Sequence, residues 1–430
     1  MDKNINHSIT LVKDLCVGCT NCIKKCPTQA IRVRNKKAHI KEKFCIDCGE
    51  CVRTCQQHAK QAIYDPIETM DNYKYKIALP APSFYGQFNN LEDVNIVLTA
   101  FKKMGFDEIF EVSSGAEYVS AMTRKYIAEN PDKTPVISSA CPTVVRLIMV
   151  RFPSLIEHLL PIKAPFEIAA QMAREKALKS TGLKSEDIGI FFISPCPAKR
   201  TAVMNPVGIE KSNVDAVLAI KDVYPKILSY MKEVAQNPED LLMSGKIGIG
   251  WGSSGGEAGG LLTDSYLAAD GIENVVRVLE DMEDEKFSDL DFIELNACAG
   301  GCVGGVLQIE NPFVAKAKLK KLRKYMPVAL NHPDFYCPDY KWTKEAEFED
   351  IYKLGSDLEE SMLLMERVEA FEKRLPGLDC GTCGAPTCRG FAEDVIRGVA
   401  QENQCIYMLR EYIQNISDSL GRLSTNKSEE

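Results

Sequence analysis

The sequence has few of the features that mark membrane, exported or nucleic-acid-binding proteins. No apolar run approaches the roughly 18 residues that cross a bilayer, and the first residues, MDKNINHSITLVKD, lack the long apolar core of a secretory signal. The formal charge of −8 gives no basic surplus to attract a polyanion. The five histidines form no metal-binding pattern. These absences predict a cytoplasmic protein that binds neither membrane nor nucleic acid.

The composition, by contrast, is that of a folded protein with an unusual amount of cysteine. At 430 residues the chain is long enough for roughly three domains. Its 45% of hydrophobic residues provide material for sizeable cores. It contains 17 cysteines. Because disulfides are disfavoured in the cytoplasm, clustered cysteines there are more often metal ligands or redox groups.

The first eight cysteines form two runs with the same spacing, C-x2-C-x2-C-x3-C. This is the spacing of bacterial ferredoxins, in which the fourth cysteine of each run serves the cluster of the other run. The predicted [4Fe-4S] sets are therefore Cys16, Cys19, Cys22 and Cys55, and Cys45, Cys48, Cys51 and Cys26. Pro27 follows the first run as usual, whereas Gln56 replaces the second proline. Zinc knuckles, the alternative, prefer pairs of ligands separated by longer loops.

A further cysteine motif, C-x2-C-x4-C-x16-C, lies near the C-terminus. Its members are Cys380, Cys383, Cys388 and Cys405. Gly381 and Gly384 let the backbone wrap tightly around a cluster, and residues 389–404 are predicted to form an amphipathic helix that returns Cys405 to the loop. The segment resembles the small iron–sulfur domain of Rnf-type electron-transfer subunits and corrinoid iron–sulfur proteins. The resemblance implies another [4Fe-4S] cluster, with a zinc site as the alternative.

Between these motifs, residues 74–335 alternate short apolar runs with helical patterns. The predicted strands cover 75–82, 134–141, 188–196, 214–220, 246–252 and 291–298, and helices are predicted between them, for example over 143–158 and 222–235. This alternation predicts an α/β domain with a mainly parallel sheet. Three of the strands run into cysteine-bearing loops, and ligand sites in such sheets lie at the carboxyl ends of the strands. Loops remote in sequence are therefore expected to converge on one centre.

Those loops, SSACP (138–142), SPCPAKR (194–200) and ELNACAGGCVGG (294–305), resemble the three signature loops of [FeFe]-hydrogenases. The resemblance spans nearly residues 1–335. It implies that an H-cluster, which is a cubane bridged to a diiron unit, is held by Cys141, Cys196, Cys298 and Cys302, with Cys302 as the bridging ligand. Lys199 matches the lysine that contacts a diiron cyanide. Pocket-lining roles are implied for Ala81, Pro82, Ser83, Ser194, Pro195 and Asn296. Only Cys337 remains outside the four sets of cysteines.

The sequence departs from catalytic members of that family where they move protons. Ala140 stands at the catalytic position of a cysteine thiol that passes protons to the diiron unit, and alanine cannot do so. The other replacements are Ser120 and Thr123 for two relay glutamates, Leu160 for a relay serine, Ser194 and Asn296 for two methionines, and Phe166 for a glutamine. General acid–base steps contribute about 10²–10⁴-fold, so turnover should be slow. This pattern resembles the sensory (group D type) branch with a C-terminal [4Fe-4S] domain. An active enzyme with a water-based relay is the alternative.

These observations predict a multidomain α/β protein. Residues 1–72 form a two-cluster ferredoxin-like domain, 73–345 the H-cluster α/β domain, and 346–430 a linker helix with a small helical four-cysteine iron–sulfur domain. The implied cofactors are four [4Fe-4S] clusters and a [2Fe] subcluster with CO, CN and azadithiolate. The implied partners are H2 and protons, a ferredoxin or a signalling protein, and hydrogenase maturation proteins; a homodimer is left open.

The predicted function is slow, reversible oxidation of H2 at the H-cluster, used as a sensor of H2 or redox state. One alternative is a catalytic ferredoxin-linked hydrogenase. Another is an iron–sulfur electron-transfer or assembly protein on the same fold, without hydrogenase activity. Two weaker signals remain. A G-x-G-x-x-G at Gly250, Gly252 and Gly255 formally allows a dinucleotide site. An apolar stripe from Leu358 to Leu375 predicts packing onto the H-cluster domain, with a partner or dimer contact as the alternative.

Overall fold

The computed structural model describes residues 7–332 and 338–426, with side chains described up to 420. The chain divides into two compact units. The central unit comprises Met1–Thr10, Ile46–Gly49 and Ala62–Glu349, and the terminal unit comprises Leu11–Cys45, Glu50–Gln61 and Asp350–Glu430. The terminal unit thus combines most of the predicted first segment with the predicted last one. Among the described residues, no helix is long and apolar enough to cross a membrane.

The strands and helices are numbered in chain order. The strands are β1 (Ile9–Leu11), β2 (Ile31–Arg34), β3 (Lys37–Ile40), β4 (Lys60–Ala62), β5 (Tyr75–Pro80), β6 (Glu108–Ile109), β7 (Val136–Ile137), β8 (Ile188–Ser194), β9 (Ala216–Ala219), β10 (Tyr266–Asp270) and β11 (Phe292–Asn296). The helices are α1 (Asn21–Lys24), α2 (Glu50–Arg53), α3 (Val94–Lys103), α4 (Val112–Glu129), α5 (Pro142–Arg151), α6 (Pro165–Thr181), α7 (Ala198–Met204), α8 (Ile220–Val234), α9 (Lys246–Gly250), α10 (Gly256–Gly259), α11 (Ile272–Glu283), α12 (Pro312–Leu322), α13 (Leu358–Glu372), α14 (Cys388–Ile396) and α15 (Ile406–Asn426).

The central unit is built on two parallel sheets, which confirms the predicted α/β class. One sheet has the order β6-β5-β8-β9 and the other β10-β11-β7. Neighbouring strands in these two sheets pair in parallel, for example Leu79 of β5 with Phe192 of β8 and Leu295 of β11 with Ala269 of β10. The buried strand β8, with the sequence IGIFFIS, is apolar at nearly every position because both of its faces are covered. The carboxyl ends of β5, β7, β8 and β11 lead into the loops that the sequence singled out.

The prediction of a strand over 246–252 is wrong. Lys246–Gly250 forms the short helix α9, which packs against α4 so closely that a Cβ on Gly248 would lie 2.3 Å from the Ser113 carbonyl oxygen. The alternating Ile and Gly residues resemble a strand, but the glycines serve a close helix–helix approach. The strand that pairs with β11 at this edge of the sheet is instead β10, whose residues are mostly half-buried. Without a preceding strand, the G-x-G-x-x-G motif lacks the context of a dinucleotide site.

Two predicted helices are shorter than expected. The predicted helix 143–158 ends at Arg151, and Pro153 begins a separate 3-10 turn. The predicted helix 389–404 is α14, which ends at Ile396 because Gly398 adopts a φ of +72° and terminates it. The chain then reaches Cys405 through a 3-10 turn over Glu402–Gln404.

The apolar stripe of α13 is only partly used in the core of the terminal unit. Val368, Phe371 and Leu375 are buried with Phe391 of α14. The N-terminal half of the stripe, Leu358, Met362 and Met365, is exposed. The buried half of the stripe thus packs against α14 within the terminal unit, and the predicted packing onto the H-cluster domain stays a prediction.

Candidate iron–sulfur and hydrogen-binding site

One pocket of the central unit gathers the cysteines of all three signature loops. Cys141 follows β7, Cys196 follows β8, and Cys298 and Cys302 follow β11. Parallel strands present their carboxyl ends at the same edge of a sheet, which brings together the loops after β7 and β11. The loop after β8 comes from the other sheet and meets them at the pocket. The empty space at this site, including the part open to solvent, is about 380 Å³. Four thiols around such a space suit the soft-ligand requirement of an iron–sulfur cubane.

Lys199 brings a positive charge into this pocket. It lies in the first turn of α7 and is buried, with its Nζ 3.9 Å from the Cys196 Sγ and 3.7 Å from the Cys302 Sγ. Burial lowers the pKa of Lys199, but the neighbouring thiolates outweigh it and hold that pKa above its ordinary value. Burial raises the pKa of the Cys302 thiol, and the Lys199 ammonium opposes this effect. The site therefore favours an anionic group, as a cluster with thiolate and cyanide ligands would be.

Ala140 lies at the edge of a buried polar network. The Ser138 hydroxyl accepts a hydrogen bond from the Ala140 backbone N–H at 3.2 Å and donates to Glu257 Oε2 at 2.7 Å. Burial, followed by the neighbouring Glu294, raises the pKa of Glu257 well above its ordinary value. Burial also raises the pKa of Glu294, which accepts hydrogen bonds from Asn296 and from the backbone N–H groups of α10. Asn296 in turn lines the cysteine pocket.

The residues that replace the family's proton-relay and pocket residues make structural contacts. The Ser120 hydroxyl accepts from the Trp251 indole N–H at 2.9 Å, and the Thr123 hydroxyl donates to the Val119 carbonyl at 2.8 Å. Leu160 is buried in an apolar cluster, and Phe166 stacks on Phe192 with ring centroids 5.1 Å apart. Each of these side chains is thus committed to packing or to a local hydrogen bond.

Of the predicted pocket-lining residues, one lines the cysteine pocket and the others lie behind its wall. Asn296 lines the cysteine pocket directly. Ser194 hydrogen-bonds the Cys196 backbone, and the Pro195 carbonyl accepts from Leu307 N–H. Behind them, Ala81, Pro82 and Ser83 are buried at the end of β5. The Ser83 hydroxyl accepts from Gln308, which also donates to the Cys302 carbonyl.

Sequence reasoning missed several contributors to the pocket. Asp47 and Cys48 line it, although both belong to the second ferredoxin-type run. Asp47 is buried, adopts a φ of +57°, and accepts hydrogen bonds from the Ser8 N–H and the Thr201 hydroxyl. The buried pair of Glu257 and Glu294 was missed as well. These acids belong to no spaced sequence motif, because their hydrogen-bond partners are backbone amides and single side chains from other parts of the chain.

The terminal unit contains two further cysteine pockets. One is lined by Cys16, Cys19, Cys22 and Cys55, the crossed set predicted from the spacing, together with Lys60. The other is lined by Cys380, Cys383, Cys388 and Cys405. Burial raises the pKa of Cys22 to about 11, and the positive charge of Lys60 opposes it. The structure thus brings these two predicted sets together, and their role as ligands stays a prediction.

The remaining predicted set, Cys26, Cys45, Cys48 and Cys51, is divided between the two units and stays a prediction. Cys337 lies outside the described residues. The same division leaves the predicted boundaries at 72 and 345 untested.

The two pockets of the terminal unit are in direct packing contact. The Val33 N–H, from a residue lining the first pocket, donates at 2.8 Å to the carbonyl of Gly384, which lies in the chain between Cys383 and Ala385 of the second pocket. A Cβ on Gly384 would lie 1.9 Å from the Val33 carbonyl oxygen, so only glycine fits there. A Cβ on Gly381 would lie 3.3 Å from Cδ1 of Ile23, the residue after Cys22.

A buried ionic cluster stabilises this contact between the β2–β3 segment and the C-terminal cysteine motif. Asp394 of α14 is 1% exposed and pairs with Arg32 at 2.6 Å, Arg34 at 2.7 Å and Lys41 at 3.1 Å. Arg34 also donates to the Cys383 carbonyl at 2.9 Å. Three cations from the hairpin of β2 and β3 thus converge on one carboxylate from the C-terminal motif.

Comparison with known proteins agrees with this geometry. The family model "Iron only hydrogenase large subunit, C-terminal domain" matches residues 74–264 and 257–306, which together cover more than half of the chain. The chain belongs to the [FeFe]-hydrogenase family. A 4Fe-4S dicluster domain model matches residues 8–56 and an Fe-S cluster model matches 375–407.

Individual relatives are distant. Iron hydrogenase 1 of Clostridium pasteurianum is 25% identical over 394 residues, covering 74% of this chain and 68% of its own length. The periplasmic [Fe] hydrogenase large subunit of Nitratidesulfovibrio vulgaris is 25% identical over 383 residues, covering 74% of this chain and 90% of its own. The solved [FeFe]-hydrogenase HydA1 of Chlamydomonas reinhardtii has a TM-score of 0.46 at 14% identity, covering 67% of this chain and 98% of its own. Because one relative is named periplasmic, the cytoplasmic location stays a prediction.

Proposed function

We propose that this [FeFe]-hydrogenase-family protein binds H2 at an H-cluster, oxidises it slowly and reversibly, and reports H2 or redox state to a partner. The observation that carries this proposal is the combination of a complete four-cysteine pocket containing Lys199 with an alanine at position 140. The ligands for the cofactor are kept, while the residue that would hand on a proton is absent.

The residues of this chain have distinct tasks under the proposal. Cys141, Cys196, Cys298 and Cys302 would hold the cubane, with Cys302 also bridging to the diiron unit. When bound, the H-cluster supplies heterolytic splitting of H2. The Lys199 ammonium, buried against two of the sulfurs, would orient and neutralise an anionic ligand. Phe166 and Leu160, both buried, keep water from the positions where relatives carry polar groups.

Electrons would leave through the clusters of the terminal unit. The Val33–Gly384 contact supports a direct route between the C-terminal pocket and the pocket of Cys16, Cys19, Cys22 and Cys55. The C-terminal cluster would then be the exit to a ferredoxin or signalling partner. Maturation proteins would supply the diiron unit, and a homodimer is compatible with the proposal.

A catalytic, ferredoxin-linked hydrogenase is the second candidate. It is favoured by one observation, the hydrogen-bonded path from Glu257 through Ser138 to the backbone of Ala140. An acid at that place could move protons by a route that does not need a thiol at position 140.

Infrared spectroscopy of the anaerobic protein, matured with a diiron cofactor, tests the proposal together with an iron count. We expect bands of iron-bound carbonyl and cyanide that shift under H2, and two irons beyond the roughly 16 of four cubanes. Absence of such bands, with only cubane iron present, would contradict the proposal and leave an electron-transfer or assembly protein.

The variant Ala140→Cys separates the two candidates. If the missing thiol limits turnover, the variant should gain about 10²-fold or more in H2 oxidation. A native protein that turns over as fast as its cysteine variant would instead favour the catalytic candidate. Ala140→Ser, which restores a polar atom with a far weaker acid, is the matched control.

A further inference from the structure

The two ferredoxin-type runs differ at one buried position. Each run continues five residues past its last cysteine into a strand, as Cys26-Pro-Thr-Gln-Ala-Ile31 and Cys55-Gln-Gln-His-Ala-Lys60. Ile31 begins β2 and Lys60 begins β4, and each is 2% exposed. The second run therefore has a buried lysine at the position where the first run has a buried isoleucine.

Lys60 is exceptional because its charge is buried without a protein partner. In the described part of the chain, its Nζ has no hydrogen-bond partner. Burying an ammonium group in this way is costly unless a negative charge compensates it. Lys37 of the same unit shows the ordinary arrangement, since its Nζ donates to the carbonyls of Lys13 and Cys16.

The surroundings of Lys60 identify what would compensate it. It lines the pocket of Cys16, Cys19, Cys22 and Cys55. A cubane bound by four thiolates carries net negative charge, and this charge grows by one when the cluster accepts an electron. A fixed positive charge in a low-dielectric pocket therefore stabilises the reduced cluster more than the oxidised one.

We propose that Lys60 compensates the charge of the cluster held by Cys16, Cys19, Cys22 and Cys55, and raises the reduction potential of that cluster above the value that an aliphatic residue would give. The inference rests on the assignment of this pocket to an iron–sulfur cluster, but not on the presence of a diiron unit. The reaction concerned is a one-electron reduction by any low-potential donor, and no bond is made or broken.

The charge of Lys60 also affects how electrons are distributed between the two clusters of the terminal unit. The pocket containing Lys60 contacts the C-terminal pocket through Val33 and Gly384. A raised potential shifts an electron shared with the C-terminal cluster toward this cluster, relative to a chain with an aliphatic residue at position 60. Lys60 thereby sets how strongly the chain retains an electron before passing it to a partner.

An anaerobic redox titration of the full chain, followed by electron paramagnetic resonance, tests the proposal. In Lys60→Met and Lys60→Ile we expect one cluster to titrate at lower potential. At the potential where that cluster is half reduced in the native protein, its ratio of reduced to oxidised form should fall about tenfold or more. Lys60→Arg keeps the charge and should keep the potential near the native value.

The control is Lys36→Met, which removes the same charge from an exposed lysine whose backbone contacts Gly18 of the same pocket. Solvent screens that charge, so its loss should leave the potential unchanged. Unaltered potentials in Lys60→Met, with a native iron count, would overturn the proposal. So would an iron count showing that the native pocket holds no cluster.

If Lys60→Met loses the cluster, the variant Lys60→Arg distinguishes charge compensation from a purely structural role. Retention of cluster and potential in the arginine variant supports charge compensation, whereas loss of the cluster in both variants assigns Lys60 a purely structural role and overturns the proposal. Missing infrared bands of a diiron unit would contradict the proposed function but leave this titration intact, so the two failures can be told apart.

Discussion

The central and terminal units bury carboxyl groups in opposite ways. In the central unit, Glu111, Glu257 and Glu294 are buried without a cation bound to them among the described side chains, and burial raises the pKa of each, with Glu294 adding to the effect on Glu257. In the terminal unit, Asp394 is equally buried but is surrounded by three cations. The first arrangement favours a carboxyl group that keeps its proton, whereas the second joins one side chain to three cations.

The difference corresponds to what each unit contains. The central unit holds the pocket assigned to hydrogen chemistry, where neutral buried acids can exchange protons without a large change of structure. The terminal unit holds pockets assigned to electron transfer alone, and its buried charge joins two segments of the chain. We infer that the buried acids of the central unit assist proton transfer, whereas the buried acid of the terminal unit holds two segments of the chain together.

Removing the Asp394 carboxylate should have the largest effect. Asp394→Ala leaves three buried cations without their shared partner, and breaking a buried ion pair costs about 3–5 kcal/mol. We expect α14 to lose protection in hydrogen exchange and the protein to lose about four irons, while the helices of the central unit keep their protection. Glu393→Ala, at the neighbouring and partly exposed position, is the control and should change neither quantity. Equal loss of protection in both units would contradict the comparison.

Glu111 provides the next largest effect, as a dependence of stability on pH. Burial raises its pKa to about 7 from an ordinary value of 4.5, despite hydrogen bonds from Met243 N–H and Tyr85 that oppose the shift. The native state therefore binds this proton more tightly than the unfolded state does. Its contribution is complete below about pH 4.5 and is lost as pH rises through about 7, by up to about 3 kcal/mol.

The variant Glu111→Gln cannot titrate, so it should remove that part of the pH dependence. Melting temperatures of the two proteins at pH 5 and pH 8 measure the effect, and the native protein should lose more on going to pH 8. Glu129→Gln, at an exposed position of α4, is the control. A native protein and a Glu111→Gln variant with parallel pH profiles would show that this acid is ionised in the folded state.

The smallest effect on stability is expected at Glu257. Its replacement by glutamine keeps the shape of the side chain and removes a buried acid, so the free energy of unfolding should change by about 1 kcal/mol or less. The informative measurement is infrared absorption by protonated carboxyl groups. A band present in the native protein should be lost in Glu257→Gln, and its persistence there but not in Glu294→Gln would assign the proton to the other acid.

Much of the site could be predicted because its signals are local. The cysteine spacings identified the crossed set around Cys22 and the C-terminal set, and apolar strands ending in cysteine loops predicted where the central pocket forms. The glycine-rich α9 was misread as a strand because alternation of Ile and Gly has the same pattern in either structure. The substitution at Lys60 was visible in the repeat, but its importance required the burial of Nζ to be known.

The long-range interactions could not be predicted. Arg32 and Asp394 are separated by 362 positions, and nothing in either segment specifies the other. The pairing of Glu257 with Glu294 depends likewise on how α10 packs against β11. Single charged residues carry no periodicity, so their partners emerge only when the fold is known.

The interleaving of the terminal unit has a consequence for how the protein is made. Its first part ends at Gln61, and its last part begins only at Asp350. At about 5–20 residues per second, a ribosome needs on the order of 20–70 s to bring Asp394 out after Arg32. During that interval the central unit can fold while the nascent N-terminal segment waits with its arginines unpaired. Because the pocket of Cys380, Cys383, Cys388 and Cys405 is made last, the C-terminal cluster would be the last that could be installed during translation.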